Sequence, residues 1–373
     1  DGLALDQPRV AIEMLTEPES GPQQSLGPSF FNTFLLDTGA NGILAAGGIF
    51  GGAVSELQDA GMVNVAVYEE LGVAGTTLMN VSDAYQFDFA GSDGERLTLP
   101  GTRIMSNGAL NFGGFHGIVG MPAMVGRTVT MDMTPWSDGS DFYMNVAFDD
   151  ALPAGAGHRY EVPLTMVSFP QSGQQNPDDP LPTWAPLPFV TARAEFGGKS
   201  LSGNFLVDTG AQLSILSSDL AFGIGLDQDG DGNFENEKET EIDVGGIGGT
   251  VTVPVLLIDK LGMGTYEGPE LRWSQRNVAV IDIDESIDGI IGMDLLTSGW
   301  FEKVFVGTGD DGMFSHVHFD FLDVDGGVGT MVFDMRSDLD DVQYDGDVNG
   351  DGKVDGLDAN AIALAWLGDD PET

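Results

Sequence analysis

The chain is predicted to be all-β, built as two related lobes with a short calcium-type loop and helix at the C-terminal end. Three observations lead there. The first is a repeat: Phe34-Leu35-Leu36-Asp37-Thr38-Gly39-Ala40 returns as Phe205-Leu206-Val207-Asp208-Thr209-Gly210-Ala211. The second is periodicity, with short alternating or apolar runs such as Asn64-Val65-Ala66-Val67-Tyr68 and Val251 to Ile258, cut by Gly, Asp and Pro. The third is composition, since 54 glycines and 18 prolines suit a loop-rich β protein.

The repeat extends beyond one phrase. The two aspartates lie 208 − 37 = 171 positions apart. Gly72-Val73-Ala74-Gly75-Thr76 recurs as Gly246-Ile247-Gly248-Gly249-Thr250, an offset of 246 − 72 = 174. Gly117-Ile118-Val119-Gly120-Met121 recurs as Gly289-Ile290-Ile291-Gly292-Met293, an offset of 289 − 117 = 172. Three landmarks in one order at nearly constant spacing indicate a duplicated domain. A carboxylate at the end of an apolar strand is costly unless something uses it. Two of them, brought together by a pseudo-twofold axis, would share one proton.

A chain of 373 residues is long enough for two lobes with their own cores and an appendage. The first lobe is expected over residues 1–168, opening on the strand signal Val10 to Leu15 and ending near Tyr160 to Leu164. Residues 169–188, rich in Pro and polar side chains, read as an inter-lobe linker. The second lobe follows over 189–336, from Phe189 to a last strand at Thr330 to Met335. A connector at 337–344 leads to a separate unit at 345–373.

Charge is lopsided, with 59 acidic against 14 basic residues and a formal net charge of -45. Such a surface repels phosphate backbones, so no nucleic-acid partner is expected, while divalent cations are favoured. No apolar run approaches the eighteen or so residues of a membrane helix, so a soluble chain without a membrane span is expected. Zero cysteines exclude disulfides and thiol chemistry. The first residue is Asp1 and no hydrophobic leader precedes it, so any signal peptide is expected to have been removed. There is no His-Glu-x-x-His and no Gly-x-Ser-x-Gly, which leaves zinc and serine hydrolase mechanisms without support. His316 and His318 share a strand face, where packing is the expected role.

The repeated Asp-Thr-Gly, the Gly-rich segments and the hydrophobic-hydrophobic-Gly segments resemble the pepsin and retropepsin superfamily of aspartic peptidases, across both lobes. Asp-Thr-Gly-Ala, Gly-Ile-Gly-Gly and Ile290 to Thr297 look more like the retropepsin branch. The resemblance implies a two-lobed acid-protease fold of double-psi β-barrels, with Asp37 and Asp208 as the catalytic pair. It implies that Thr38 and Thr209 lock the two loops by reciprocal hydroxyl-to-backbone bonds. Gly39 and Gly210 would let the backbone turn beside the partner carboxylate. Gly72, Val73, Ala74 and Gly75, with Gly246, Ile247, Gly248 and Gly249, would form two flap tips over the substrate, the alternative being ordinary glycine-rich turns. Ala40 and Ala211 stand where pepsin-like relatives carry a hydroxyl, so higher dyad pKa values and a mildly acidic optimum, about pH 5–6, are expected.

Asp347, Asn349, Asp351, Lys353 (through its carbonyl), Asp355 and Asp358 follow calcium-loop spacing, with Gly352 at the turn position. With the short amphipathic run Ala359 to Leu367, this resembles one repeat of a type I dockerin. Gly356-Leu357 replaces the small hydroxyl pair of cellulosomal recognition sites, so a cohesin-like partner and a plain cell-surface anchor are both open. A second acidic loop, Asp227, Asp229, Asp231, Asn233 and Glu237, fits part of the calcium pattern, against a solvated acidic turn. No cofactor is expected for catalysis, only structural calcium. Two functions follow. One is a secreted or cell-surface aspartic endopeptidase, a monomer acting on polypeptides. The other is a catalytically silent, calcium-binding adhesive or matrix protein on the same fold.

Overall fold

The computed structural model describes residues 7–17, 21–26, 33–46, 57–73, 75–91, 96–108, 115–138, 144–155, 157–169, 173–297 and 312–336. They are mostly strand, as expected. The calcium-type loop at 347–358 and the helix after it lie outside the described residues, as does Ala74.

The first sheet begins with β1 (Arg9–Thr16), β2 (Ser25–Leu26), β3 (Thr33–Leu36) and β4 (Ile43–Ala46). A long hairpin follows, β5 (Asn64–Gly72) and β6 (Gly75–Ser82), then β7 (Tyr85–Ala90) and β8 (Arg96–Thr102). The short strands β9 (Met105–Asn107) and β10 (Gly117–Val119) complete it. Their order is β5-β6-β9-β4-β10-β3-β1-β7-β8, with β2 on β1.

The second sheet takes in β11 (Thr128–Asp132), β12 (Asn145–Asp149) and β13 (Arg159–Val167), then β14 (Leu187–Phe196) and β15 (Lys199–Val207). It continues with β16 (Ile215–Leu216), the hairpin β17 (Thr240–Gly246) and β18 (Gly249–Gly264), and β19 (Glu270–Val280). The last strands are β20 (Gly289–Ile291), β21 (Phe314–Asp320) and β22 (Val328–Met335). The order is β12-β11-β21-β22-β13-β14-β15-β20-β16-β19-β18-β17.

The duplication is visible in these orders. The run β5-β6-β9-β4-β10-β3 in one sheet corresponds to β17-β18-β19-β16-β20-β15 in the other. In both, the strand leading to the aspartate pairs in parallel with the hydrophobic-hydrophobic-Gly strand. Val119 faces Leu36 in register, and Ile291 faces Val207. That strand also pairs antiparallel with the one after the aspartate loop. Each aspartate strand is therefore the buried centre of its lobe, with Leu36 and Val207 almost fully enclosed. Parallel strands buried on both faces read as continuous apolar runs, which is why Phe34-Leu35-Leu36 and Phe205-Leu206-Val207 show no alternation.

Strands β11 to β13 precede the linker yet pair with β21 and β22 from the far end of the second lobe. This shared sheet encloses a polar network. Arg159 donates from Nε and Nη2 to the two carboxylate oxygens of Asp334, at 2.6 and 2.8 Å. His318 hydrogen-bonds Asp334 through Nε2 at 3.1 Å and the Thr130 hydroxyl through Nδ1 at 2.8 Å. The rings of His316 and His318 stack 5.7 Å apart. The expected packing role of the pair holds, with His318 buried.

Candidate active site

Asp37 and Asp208 each leave the end of a buried strand and enter a tight loop. The Asp37 N–H donates to the Val119 carbonyl, and the Asp208 N–H to Ile291, both at 3.0 Å. The loops are then held from behind. The carbonyls of Ala40 and Ala211 accept from the N–H groups of Met121 and Met293, both at 2.8 Å. These two constraints on one aspartate loop have their counterparts on the other.

The two loops are locked together at the pseudo-axis. The Thr38 N–H donates to the Thr209 hydroxyl and the Thr209 N–H to the Thr38 hydroxyl, each at 3.1 Å. Each hydroxyl in turn donates across the interface at 2.7 Å, Thr38 to the Val207 carbonyl and Thr209 to the Leu36 carbonyl. Both threonines are buried, so these bonds have no competing water and breaking one orphans a buried group. The geometry is the one implied for these residues.

Gly39 and Gly210 are required by close approach. A Cβ on Gly39 would lie 2.5 Å from Cγ of Asp208, and one on Gly210 would lie 2.6 Å from Cγ of Asp37. Each loop thus presses its glycine against the other loop's carboxyl, and the two carboxyls are hydrogen-bonded to each other. Within its own loop, Asp37 accepts from the Gly39 N–H at 2.8 Å. Asp208 accepts from Gly210 and Ala211 at 2.7 and 3.1 Å.

Both carboxyls retain some exposed surface but sit within dense protein, which governs their electrostatics. Burial raises the Asp37 carboxyl well above its ordinary range, and the charge and hydrogen bond of Asp208 raise it further. Burial also raises Asp208, but the hydrogen bond from Asp37 and the backbone donors of Gly210 and Ala211 offset part of this. Backbone donors of Gly39 and Ala40 lower Asp37 in the same way, so both carboxyls are raised and the pair titrates as one unit, one proton held between them. No hydroxyl stands at position 40 or 211 to stabilise a second charge.

The two glycine-rich segments form the turns of the hairpins β5–β6 and β17–β18. These tips meet: Gly72 packs directly against Ile247, and a Cβ on Gly246 would lie 3.2 Å from the Val73 side chain. Gly75, Gly248 and Gly249 carry the positive φ of their turns, between 91 and 131°. The inner face of the first hairpin joins an apolar cluster. Tyr68 and Met79 pack there with Leu35, Leu44, Phe115 and Ile118, against Ala40 and Ile247.

Sequence reasoning missed several neighbours of this site. The linker pairs with the first hairpin, since the Glu69 N–H donates to the Gly173 carbonyl at 2.8 Å. Farther on, Trp184 meets Tyr68 edge-on with centroids 5.2 Å apart. Behind the second loop, the Ser214 hydroxyl donates to Asp294 at 2.8 Å and accepts from the Gly292 N–H at 3.0 Å. Burial pushes the Asp294 carboxyl up to about 6, despite Ser214 and Arg276. The Gln7 amide donates to the Gly210 carbonyl. The proline-rich linker could have drawn attention through its Trp and Leu; Gln7 carries no sequence signal.

In the loop at 227–237 the carboxylates of Asp227, Asp229 and Asp231 converge, with one oxygen of each within 4.8 Å of the others. Asp227 accepts from the N–H groups of Gly230 and Gly232, and Asp231 from Asn233. Glu237 accepts from Gln228 and Asp229 through Oε1, while its Oε2 is buried without a partner. Three converging carboxylates are hard oxygen donors of the kind calcium takes.

Comparison with curated proteins gave no match. Among solved structures, basic 7S globulin from soybean aligns over 89% of this chain and 96% of its own, with 11% identity and a TM-score of 0.44. A retropepsin-like aspartic protease from Rickettsia conorii aligns over 50% of this chain and 100% of its own, with 14% identity and a TM-score of 0.24. Residues 192–295 match the model of a family described as aspartyl protease. That segment holds Asp208, the β17–β18 hairpin and Ile290-Ile291-Gly292. What the second lobe is similar to is an aspartyl protease domain, and the first lobe repeats its local geometry strand for strand.

Proposed function

We propose that the chain is an aspartic endopeptidase that hydrolyses polypeptides with Asp37 and Asp208 as its catalytic residues. The observation that carries this reading is the hydrogen-bonded contact of two carboxyls across a reciprocal threonine lock. The ionised member of the pair takes a proton from a water that attacks the peptide carbonyl. The protonated member donates to the oxyanion as it develops, and proton return to the amide nitrogen releases the products. The hairpin tips over the dyad exclude bulk water and hold the substrate. Hydroxyl-free positions 40 and 211 and the burial of both carboxyls support a mildly acidic optimum.

The net charge of -45 supports work outside the cell, secreted or surface-held, and structural calcium. The calcium reading rests on two segments: Asp227, Asp229, Asp231, Asn233 and Glu237 in the second lobe, and Asp347 to Asp358 by spacing alone. The latter would serve, dockerin-like, as an attachment module.

Casein and peptide-library digestion between pH 3 and 7, with and without pepstatin, tests the central claim. Cleavage should be pepstatin-sensitive and should fall by about 10³-fold or more in Asp37→Asn and Asp208→Asn. Activity surviving either substitution, or none in the parent chain, overturns it. Calcium removal with a chelator should lower the melting temperature in the parent chain. Asp229→Asn with Asp231→Asn should remove the part of that drop owed to the 227–237 loop.

A further inference from the structure

Strand β5 presents alternate residues to its two faces. Val65, Val67, Glu69 and Leu71 are exposed, whereas Tyr68 and Glu70 are buried. The inner face is the one on which Tyr68 meets Trp184 and clusters with Ala40, and on which Gly72 touches Ile247 of the opposite tip. Glu70 stands between Tyr68 and Gly72 on that face, beneath the first hairpin. It is only 8% exposed, and its Oε2 has no hydrogen-bond partner. The indole Nε1 of Trp184, the side chain that meets Tyr68, is also buried and unpartnered. A buried carboxyl without a partner is expensive, and burial lifts Glu70 to about 7. Among the described residues no hydrogen bond or ion pair uses Oε2.

The second hairpin differs at the matching place. With the tip offset of 246 − 72 = 174, position 70 corresponds to 70 + 174 = 244, which is Val244. Val244 packs against the apolar core of its own lobe. One side of the dyad thus carries an orphaned acid and the other an aliphatic side chain.

We propose that Glu70 is the specificity-determining residue of a subsite under the first hairpin that receives a lysine or arginine side chain of the polypeptide substrate. This rests on the peptidase reading above. The cation supplies the missing partner of Oε2, the Tyr68–Trp184 pair flanks its aliphatic stem, and the indole N–H is free to donate to a substrate carbonyl. The strongly negative surface concentrates cationic peptides at the cleft. Val244 leaves the opposite side apolar, so substrates should carry the basic residue on one side of the scissile bond only.

The test uses twin peptides that differ by lysine against norleucine, at pH 7, on the full chain. The parent chain should cleave the lysine twin with kcat/KM higher by about tenfold or more. Library digests should show Lys or Arg at one fixed position. Glu70→Gln should lose that preference, the ratio of kcat/KM between the twins falling to about one, and a cooperative urea unfolding transition shows that the variant folds. Equal rates on the twins in the parent chain, or a preference retained in Glu70→Gln, overturn the proposal. A flap carboxyl that only bonds substrate backbone would treat the twins alike and count against it too. Binding of the same twins to Asp37→Asn, followed by fluorescence anisotropy, separates the two claims. If the parent chain cleaves nothing, the peptidase reading fails, and the subsite is then judged by whether the lysine twin binds more tightly and Glu70→Gln abolishes the difference.

Discussion

At the scale of single residues, one absent hydroxyl tunes the dyad. Asp208 accepts from the Ala211 N–H at 3.1 Å, and a serine there would add a second donor from the same residue. Donors to the ionised form lower a carboxyl's pKa. Ala211→Ser should therefore move the acid limb of the pH–rate profile down by about one unit, with the alkaline limb less affected. The threonine lock gives a stability counterpart. Thr209→Val keeps the volume but orphans the Leu36 carbonyl and the Thr38 N–H, so a loss of about 1–3 kcal/mol is expected in urea unfolding. These residues were legible because they come in pairs: a repeated Asp-Thr-Gly points to itself. Glu70 was not legible. Only one copy exists, and strand alternation says that one face is buried without saying what lies over it.

At the scale of elements, the segment after Ile291 shows how a short turn anchors the second catalytic loop. Asp294 there binds Ser214, and burial raises its carboxyl from an ordinary 3.8 to about 6. A proton held more tightly in the folded state is taken up on folding. The stability this contributes is fully present below about pH 4 and is lost as pH rises through about 6. Asp294→Asn keeps a partner for Ser214 and removes the titration. Its melting temperature relative to the parent should rise between pH 4.5 and 7.5, by the equivalent of about 1–3 kcal/mol. A flat difference would show that Asp294 is already ionised at pH 4.5. The first lobe has Pro122 in the corresponding place, so this anchor belongs to one half only. Sequence reading found both hydrophobic-hydrophobic-Gly strands through their repeat, but repeats conceal whatever the halves do differently. The linker illustrates the same limit. Its prolines and polar residues read as a spacer, whereas Gly173, Leu181 and Trp184 dock on the first hairpin.

At the scale of the whole molecule, the lobes are joined by more than a connector. The sheet that pairs β11 and β13 with β21 and β22 interleaves the last strands of the first lobe with the last strands of the second around Asp334. Burial alone would raise that carboxyl, but the Arg159 and His318 bonds hold it well below the usual carboxylate range. Its contribution is present above about pH 4 and lost as pH falls further, the opposite sense to Asp294. Asp334→Ala strands Arg159 and His318 together, and a loss of about 3–5 kcal/mol at pH 7 is expected by calorimetry or denaturant titration. Pairing across such sequence distance leaves no local mark, so the shared sheet was invisible beforehand while the two barrels were not.

Covalent fusion of the halves has one further consequence. In an assembly of two identical chains, any change to a hairpin is made twice, and the two must stay alike. Here glutamate stands at 70 and valine at 244, so the two hairpins have been free to diverge. On the proposed reading, an extended peptide lying against both hairpins would have a preferred direction, which a mirror-matched pair could never impose.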